Sequence, residues 1–424
     1  MKFSSVSETR RRFLRRAGLA SAIGSGLSFR PLETNAGSHR KTQQASSALH
    51  GIYEDLGLRP FINAAGTYTM LSACIMPEEV AAAMREASRR HISIPELQEA
   101  AGKRIAGLLG SESALVTSGC ASALTLATAA CVCGSDQEKI HKIPDTSGMK
   151  NEVIFQKSHR FGYDHAIRNV GVRIVEVETR TQLESAINSQ TAMLFFLNSA
   201  NSQGQIKREE FASLARQKGI PSLIDGAADV PPVENLSAFH KMGFDLVAFS
   251  GGKGLRGPQC SGLLLGRKDL IQAAFLNGSP NSDSVGRAGK VGKEEIVGLM
   301  TAVQLFMHRD HKADWLEWED RVKNIERSVS GLRGIETEHF IPEIANHVPH
   351  LAIKWDPKTL PATRDDIAKL LREGEPRIEV RPSPPGDPRL EVAVWMLQRG
   401  EDQIVARRCA EVFRTASKDR QQTG

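Results

Sequence analysis

Residues 245–265 of this 424-residue chain read DLVAFSGGKGLRGPQCSGLLL, which is two short apolar runs joined by a glycine-rich segment. The runs, 245–249 and 261–265, have the length and composition of buried strands. Eleven residues lie between them, too few for a crossover helix, so we expect the strands to be antiparallel or split around a functional loop. Lys253 stands in this segment with a glycine on each side, which leaves little side-chain bulk around its amine.

The amine of Lys253 is the candidate nucleophile of this segment. A lysine amine that is desolvated or lies near another cation has a lowered pKa and attacks aldehydes. A lysine in an exposed turn is the alternative, and the glycines by themselves favour neither interpretation.

Strands and helices alternate on the amino-terminal side of this segment. Apolar runs predict strands over residues 114–117, 153–156, 173–177, 193–197 and 221–224. Helical patterns predict helices over residues 77–90 and 95–109, from about residue 121, and over residues 165–169 and 209–218. With the two strands beside Lys253, this order predicts an α/β domain whose seven-stranded sheet is mostly parallel and covered on both faces.

The pattern changes after residue 293 to a long helix, strand, helix, strand, strand and helix, which is typical of a smaller α+β domain. We therefore predict a large domain with its N-terminal segment over residues 58–292 and a small C-terminal domain over residues 293–424.

The first 36 residues resemble an export signal. Arg10 and Arg11 belong to the run TRRRFLR, and a weakly apolar stretch rich in Ala, Gly and Ser follows, with a possible cleavage site near residue 36. This combination predicts a twin-arginine signal peptide and a periplasmic or otherwise extracytoplasmic protein, whereas a basic disordered tail is the alternative. Residues 37–57 are polar and predict a linker.

The net charge of the chain argues against a nucleic-acid partner. Residues 1–36 contain seven basic and two acidic residues, so they account for five of the six net positive charges of the whole chain. The remaining chain is nearly neutral and has no clustered basic surface for nucleic acid. No run of eighteen apolar residues occurs, so we expect no membrane span in the mature form.

The six cysteines predict neither a zinc site nor a disulfide framework. They include no CxxC pair and have no histidine pair at metal-ligand spacing, so we expect no metal. Cys131 and Cys133 lie in an alanine-rich apolar run, which indicates small buried residues.

Asp225 is the second candidate functional residue. It follows the predicted strand 221–224, and a carboxylate at the carboxyl end of a buried parallel strand lies where open α/β sheets bind ligands. There it can keep the nitrogen of an aromatic ring protonated. The alternative is an ordinary aspartate that caps the next turn.

A possible phosphate site follows the first predicted strand. The run Ser118, Gly119, Cys120 and Ala121 opens a helix, and small residues at a helix N-terminus let backbone N–H groups approach an anion. The hydroxyl of Ser250, three residues before the lysine, is expected to reach the same anion. Such turns are common, so this pattern alone is weak.

His159 is the fourth candidate, in a loop after the predicted strand 153–156. An imidazole at this place can stack on an aromatic cofactor or transfer a proton. A solvated loop histidine is the alternative.

The order of these four features resembles fold-type I enzymes that depend on pyridoxal 5′-phosphate (PLP), the aspartate aminotransferase-like class. More narrowly, the runs INAAGT (62–67), TSG (117–119), DGAA (225–228) and SGGKGLRGPQ (250–259) resemble the family of selenocysteine synthase (seryl-tRNA selenium transferase) and D-glucosaminate-6-phosphate ammonia-lyase. The resemblance extends from about residue 58 to the C-terminus, and the lysine motif is its most specific part.

The resemblance implies a homodimer or larger homo-oligomer in which PLP forms a Schiff base with Lys253. It further implies that Asp225 pairs with the ring nitrogen, that His159 stacks on the ring, and that residues 118–121 with Ser250 hold the phosphate. The run GRAGKVGKEE (286–295) is also similar, which suggests that Arg287 or Lys290 approaches an anionic substrate group or the neighbouring subunit.

The implied reaction is β-elimination with release of ammonia from a small hydroxy-amino acid or an amino sugar acid. The selenium transferase reaction is the alternative, and an aminotransferase, racemase or aldolase would share every cofactor contact. A binding protein that kept the scaffold without catalysis is a further alternative, which the joint presence of Lys253, Asp225 and the phosphate turn disfavours.

Overall fold

The computed structural model describes residues 51–382 and 386–418. The predicted signal peptide, residues 1–36, and residues 37–50 of the predicted linker lie outside the described residues. Backbone contacts divide the chain into Met1–Arg59 and Pro60–Gly424. The described part of the first unit contains a short exposed helix, α1 (Ile52–Asp55).

A seven-stranded sheet forms the centre of the second unit. Its order is β2-β8-β7-β6-β5-β3-β4, where β8 is antiparallel to both neighbours and all other pairs are parallel. The strands are β2 (Ser113–Thr117), β3 (Glu152–Gln156), β4 (Arg173–Val177), β5 (Thr191–Leu197), β6 (Ser222–Asp225), β7 (Leu246–Ser250) and β8 (Gly262–Gly266). The mostly parallel α/β sheet and the antiparallel pair beside Lys253 are thus confirmed.

Helices cover both faces of this sheet. Because side chains alternate along a strand, Ile154 packs into one apolar core while its neighbours Val153 and Phe155 pack into the other. The helices before and within the sheet are α2 (Glu78–Ser88), α3 (Ile94–Leu109), α4 (Gly119–Cys133), α5 (Gln137–Lys142), α6 (Asp164–Arg168), α7 (Arg180–Ala186), α8 (Arg208–Lys218), α9 (Asn235–Met242) and α10 (Lys268–Leu276).

The remaining elements form a smaller lobe with its own apolar core. A short parallel pair joins β1 (Ile62–Ala64) to β11 (Ile378–Val380), and an antiparallel sheet has the order β12-β10-β9. Helix α11 (Lys293–His308) leads into this lobe but packs on the large sheet. The other elements of the small lobe are α12 (His311–Val329), β9 (Ile335–Phe340), β10 (His350–Trp355), α13 (Arg364–Glu373), β12 (Leu390–Ala393) and α14 (Glu401–Lys418).

Two details of this lobe differ from the sequence prediction. The single long helix is two helices, because Asp310 caps a new one by accepting hydrogen bonds from the backbone N–H groups of Lys312 and Ala313. Strand β9 is additional, and its sequence IETEHF is largely exposed and therefore carries no apolar signal.

Segments from both sides of the predicted boundary at residue 292 contribute to both lobes. Strand β1 pairs with β11 of the small lobe, whereas the buried side chains of α11 pack into a core of the large sheet. The division at residues 292 and 293 stays a prediction.

No helix in the described part of the chain is both long and apolar enough to cross a membrane. All six cysteines are free thiols.

Candidate active site at the ends of two parallel strands

Adjacent parallel strands bring Asp225 and Lys253 to the same edge of the sheet. Asp225 is the last residue of β6 and pairs with Ala248 of β7, which leads directly into the lysine loop. The backbone N–H of Gly226 also donates to the carbonyl of Ala248 at 2.9 Å. The carboxyl ends of parallel strands are the usual ligand site of such sheets, and both predicted residues lie there.

Glycines let the lysine loop pack against its own chain. A Cβ atom at Gly252 would lie 2.5 Å from Cα of Gln259, and one at Gly254 would lie 1.8 Å from the carbonyl oxygen of Val230. Both distances are shorter than any normal contact, so these positions require glycine for close approach. The loop that contains Lys253 is therefore closely packed against the backbone at Gln259 and at Val230.

Asp225 is a buried carboxylate with one uncommitted oxygen. Its Oδ1 accepts a hydrogen bond from the backbone N–H of Ala227 at 2.9 Å and contacts the Sγ of Cys120 at 3.8 Å. Oδ2 accepts no hydrogen bond from the described residues. Burial raises the pKa of Asp225, while the Ala227 N–H and the charge of Lys253 oppose this rise. A cationic ring nitrogen would supply the partner that such a carboxylate needs.

The N-terminus of α4 has the features of an anion site. The helix begins at Gly119, which has φ of 80°, and its N-cap residue Ser118 makes no side-chain cap hydrogen bond. The first-turn N–H groups of this fifteen-residue helix therefore stay available to a phosphate. Cys120 in that turn contacts Asp225, which places the anion site beside the carboxylate. Ser250 is half-buried at the end of β7.

His159 lies outside the cavity that contains Lys253. The side chain of His159 is fully buried. Its Nδ1 accepts a hydrogen bond from the backbone N–H of Leu197 at 3.1 Å, and its ring packs edge-on against Phe196 with the ring centres 4.4 Å apart. Burial lowers its pKa to about 4, so the imidazole is neutral near pH 7. Its predicted role at the cofactor stays a prediction.

Arg287 and Lys290 have exposed side chains, and neither makes a side-chain hydrogen bond or ion pair with the described residues. Their predicted role toward a substrate or a second subunit stays a prediction.

A cavity of about 240 Å³ adjoins Lys253 between the two lobes of the second unit. It is lined by Ala65, Gly66, Thr67, Tyr68, Thr69, Tyr163, Lys253, Asn346, His350, Arg381 and Trp395. A larger groove of about 530 Å³ runs beside β4, but its lining includes none of the predicted site residues. The smaller cavity is therefore the candidate substrate site.

Arg381 is a functional candidate that the sequence prediction missed. It follows β11, its Nε lies 3.3 Å from the hydroxyl of Tyr68, and its Nη1 lies 3.3 Å from a carboxylate oxygen of Glu391. Glu391 also pairs with Arg389, so it neutralises the charge of Arg381 only in part. An arginine directly after a strand was the available signal, although arginines at such places are common.

Comparison with known proteins identifies the family of this arrangement. The sequence profile of the family described as aminotransferase class-V matches residues 75–295. D-glucosaminate-6-phosphate ammonia lyase of Salmonella typhimurium is 30% identical over 341 residues, which cover 78% of this chain and 89% of that protein. A 5′-C-glycyluridine monooxygenase-decarboxylase of a Streptomyces species is 30% identical over 374 residues, covering 85% of this chain and 92% of the other.

More distant relatives and solved structures agree. An L-seryl-tRNA(Sec) selenium transferase of Hyphomonas neptunium is 31% identical over 281 residues, covering 58% of this chain and 56% of that protein. The solved structure of D-glucosaminate-6-phosphate ammonia-lyase superposes with a TM-score of 0.75 at 29% identity, covering 86% of this chain and 98% of the other.

A serine palmitoyltransferase with PLP, at 13% identity and a TM-score of 0.54 over 84% of this chain and 88% of that one, shares the fold. The uncommitted oxygen of Asp225, the uncapped helix N-terminus and the amine of Lys253 fit the ring nitrogen, phosphate and aldehyde of PLP. The chain belongs to the aminotransferase class-V family and is a PLP-dependent enzyme of fold type I.

Proposed function

We propose that this enzyme is a lyase that removes the β-hydroxyl group and the amino group from a small hydroxy-amino acid or an amino sugar acid. The net reaction loses water across Cα and Cβ, then takes up water to release ammonia and a 2-keto acid. The observation that carries the proposal is a single cavity that contains the amine of Lys253 and the guanidinium of Arg381, with Asp225 buried beside the lysine loop.

Bound PLP supplies an electron sink for the bond that breaks at the α-carbon. Lys253 is then the base that takes the α-proton, because its amine opens into the substrate cavity and its loop is held rigidly. The same amine is assigned the return of that proton to the departing hydroxyl. Asp225 holds the ring nitrogen in its charged form, which strengthens the sink.

Arg381 orients the substrate. Its planar guanidinium suits a carboxylate, and it lines the cavity that contains the lysine amine. A carboxylate fixed on Arg381 limits the rotation of the α-carbon and presents its hydrogen to Lys253. The hydroxyl of Tyr68 and the carboxylate of Glu391 hold the guanidinium in place.

The experiment that tests this proposal starts with the purified protein. A visible absorbance band near ~420 nm, trapped by borohydride and mapped by mass spectrometry to Lys253, is the expected result for the cofactor. Incubation with hydroxy-amino acids and amino sugar acids should then release ammonia and a keto acid in equal amounts. A colourless protein that PLP does not reconstitute would contradict the proposal.

Because one relative is named as a monooxygenase-decarboxylase, oxygen uptake and carbon dioxide release are measured in the same incubation. Ammonia release that needs no oxygen and yields no carbon dioxide supports the lyase, whereas coupled oxygen uptake and decarboxylation contradict it.

We also propose that the enzyme works as a homodimer or larger homo-oligomer. Large apolar side chains are exposed, namely Tyr163, which lines the cavity, at 63%, Met70, which follows the lining residue Thr69, at 85%, and Ile75 at 56% of their surface. Covering them with a second copy would remove this apolar surface from water. Light scattering should give at least twice the monomer mass, and a monomer at micromolar concentration would contradict the proposal.

Export by the twin-arginine route to the periplasm is a further proposal, supported by the run at residues 9–15. A reporter fused to residues 1–36 should leave the cytoplasm, and replacement of Arg10 and Arg11 by lysine should stop it. A reporter that stays in the cytoplasm would contradict export.

A further inference from the structure

A second carboxylate, that of Asp229, is buried at the end of the turn that begins with Asp225. The turn is closed by the backbone N–H of Asp229, which donates to the carbonyl of Gly226 at 3.0 Å. Asp229 is only 3% exposed, and its Oδ2 accepts a hydrogen bond from the side-chain amide of Asn198 at 2.9 Å. Its Oδ1 has no hydrogen-bond partner among the described residues. Hydrogen bonds therefore compensate the negative charge of Asp229 only in part.

The lysine loop packs directly on this turn. A Cβ atom at Gly254 would lie 1.8 Å from the carbonyl oxygen of Val230, so the two backbones are in contact there. Lys253 and Asp229 are the residues that precede this contact on the two segments. Their side chains therefore start from neighbouring points of the fold, although the two residues are far apart in the sequence.

The turn also contacts the wall of the candidate substrate cavity. The backbone N–H of Asn346, which lines that cavity, donates to the carbonyl of Ala228 at 2.7 Å. The backbone N–H of Ser250 donates to the carbonyl of Ala227 at 3.4 Å. Asp229 itself lines a different cavity, of about 160 Å³. Its carboxylate is therefore placed to act on the lysine through its charge rather than by contact, and such effects are strong in a buried region of low dielectric constant.

The carboxylate of Asp229 is mostly charged at pH 7. Burial raises its pKa to about 6, the amide of Asn198 opposes this rise, the charge of Asp225 adds to it, and the charge of Lys253 opposes it. Asp229 and Lys253 therefore influence each other electrostatically. The other ionisable groups around Asp229 are Cys120 and, along the 160 Å³ cavity, Arg208, Glu343 and His347.

The reaction places a positive charge on Lys253. When the neutral amine takes the α-proton, the Cα–H bond breaks, an N–H bond forms, and the electron pair of the broken bond passes to the electron sink. Asp225 is then paired with the charged ring nitrogen, so its negative charge is already used. Asp229 is a second buried carboxylate whose charge acts on the same lysine.

We propose that Asp229 is a positioning residue whose carboxylate supplies the counter-charge that stabilises Lys253 when the lysine nitrogen is protonated. This inference rests on the proposed function, because it takes Lys253 as the base that removes the α-proton. A neutral side chain at position 229 would make the lysine nitrogen hold its proton less strongly. The same charge acts on that nitrogen in the Schiff base with PLP, where the effect can be measured.

The pH dependence of the cofactor's absorbance tests the proposal without requiring turnover. The full chain loaded with PLP is titrated with base, and the band near ~420 nm, which the protonated Schiff base of the lysine gives, is followed. In Asp229→Asn, half of this band should be lost at a pH about one unit lower than in the wild type. Asparagine keeps an oxygen that can accept from Asn198, so the fold should persist. An unchanged midpoint, or a higher one, would overturn the proposal.

Asn235→Ala is the matched control. The side-chain amide of Asn235 donates to the backbone carbonyl of Asp229 at 2.7 Å, so this variant disturbs the same turn without changing its charge. Its midpoint should equal that of the wild type. A displacement as large as that of Asp229→Asn would show that packing of the turn is responsible and would refute the electrostatic role. Asp229→Ser removes the same charge and replaces Asp229→Asn in this test should the latter fail to fold.

A measurement on the cofactor-free chain separates this inference from the proposed function. Acetic anhydride acetylates neutral amines, and mass spectrometry quantifies how fast Lys253 is modified. At about pH 8, Lys253 should react at least about threefold faster in Asp229→Asn than in the wild type, because a smaller share of its amine is protonated. An unchanged rate would count against the counter-charge. Absence of ammonia release would contradict the lyase proposal alone, because neither the absorbance titration nor the acetylation requires turnover.

Discussion

Oδ1 of Asp225 lies 3.8 Å from Sγ of Cys120, the second residue of helix α4, although the two residues are 105 positions apart in the chain. This contact joins the predicted ring-nitrogen partner to the predicted phosphate turn. The residues that would hold the ring nitrogen and the phosphate of the cofactor are therefore fixed relative to each other by direct contact.

Asp225→Asn is expected to lower kcat on the order of a hundredfold or more, because a neutral amide does not hold the ring nitrogen in its charged form. The amide has nearly the same size, so the fold should persist. Stopped-flow spectra with substrate and steady-state kcat measure the effect. A kcat within threefold of wild type in Asp225→Asn would exclude the assigned role.

Gly252→Ala should destabilise the protein by about 1–3 kcal/mol, the usual cost of forcing extra bulk into a packed region. The added Cβ would lie 2.5 Å from the backbone of Gln259. Gly107→Ala is the matched control, because this exposed glycine inside α3 has no atom near its Cβ position and should gain about 0.5–1 kcal/mol. Thermal unfolding should give a lower Tm for Gly252→Ala and a higher Tm for Gly107→Ala than for the wild type. Equal Tm values would refute the explanation that the added Cβ clashes with the backbone of Gln259.

Arg381→Lys should raise KM for the substrate about tenfold or more with a smaller change in kcat, since lysine loses the planar pair of donors. Arg372→Lys is the control: this arginine pairs with Glu379, the middle residue of β11, and does not line the cavity. A rise in KM of similar size in both variants would show that the effect is structural.

The unfolding free energy should fall as the pH is lowered from about 6.5 toward 4. Burial lowers the pKa of His350 from 6.5 to about 4, so in this window the unfolded chain binds the proton that the folded chain excludes. His350→Asn should therefore reduce the loss between pH 7 and pH 5 by about 2 kcal/mol. Denaturant unfolding of the wild type and the variant at pH 7 and pH 5 measures this difference in unfolding free energy.

Asp229 should have the opposite effect to His350 on the unfolding free energy between pH 7 and pH 5. Burial raises its pKa to about 6, so the folded chain keeps a proton that the unfolded chain releases near 3.8, and this stabilisation is lost as the pH rises through 6. Asp229→Asn should make the loss between pH 7 and pH 5 larger by about 1 kcal/mol. These assignments would be contradicted if both substitutions changed the loss of unfolding free energy between pH 7 and pH 5 in the same direction.

A purely structural role of His159 predicts that His159→Asn lowers Tm and leaves the cofactor's absorbance unchanged, because the buried imidazole accepts a hydrogen bond from the backbone N–H of Leu197 and packs edge-on against Phe196. Absorbance of the loaded variant and its thermal unfolding distinguish the two roles. A displaced absorbance band at an unchanged Tm would instead favour the ring-stacking role that the family resemblance implies.

The sequence alone predicted the large sheet and the positions of Lys253 and Asp225 at its edge. Strands buried on both faces are continuous apolar runs, so their existence is a local property, and a residue directly after such a strand lies at the sheet edge whatever the rest of the chain does. The turn over residues 118–121 can be predicted for the same reason, because it directly follows strand β2.

The lining of the candidate substrate cavity was decided by tertiary structure. Arg381, His350 and Trp395 reach the cavity only because β1 pairs with β11 and β10 pairs with β12, which joins segments about three hundred residues apart to the amino-terminal run at residues 62–67. His159 shows the converse, since its loop position in the sequence does not reveal that Phe196 encloses it. Local patterns report which face of an element is buried; they carry no information on which distant element buries it, because that choice depends on the packing of the whole core.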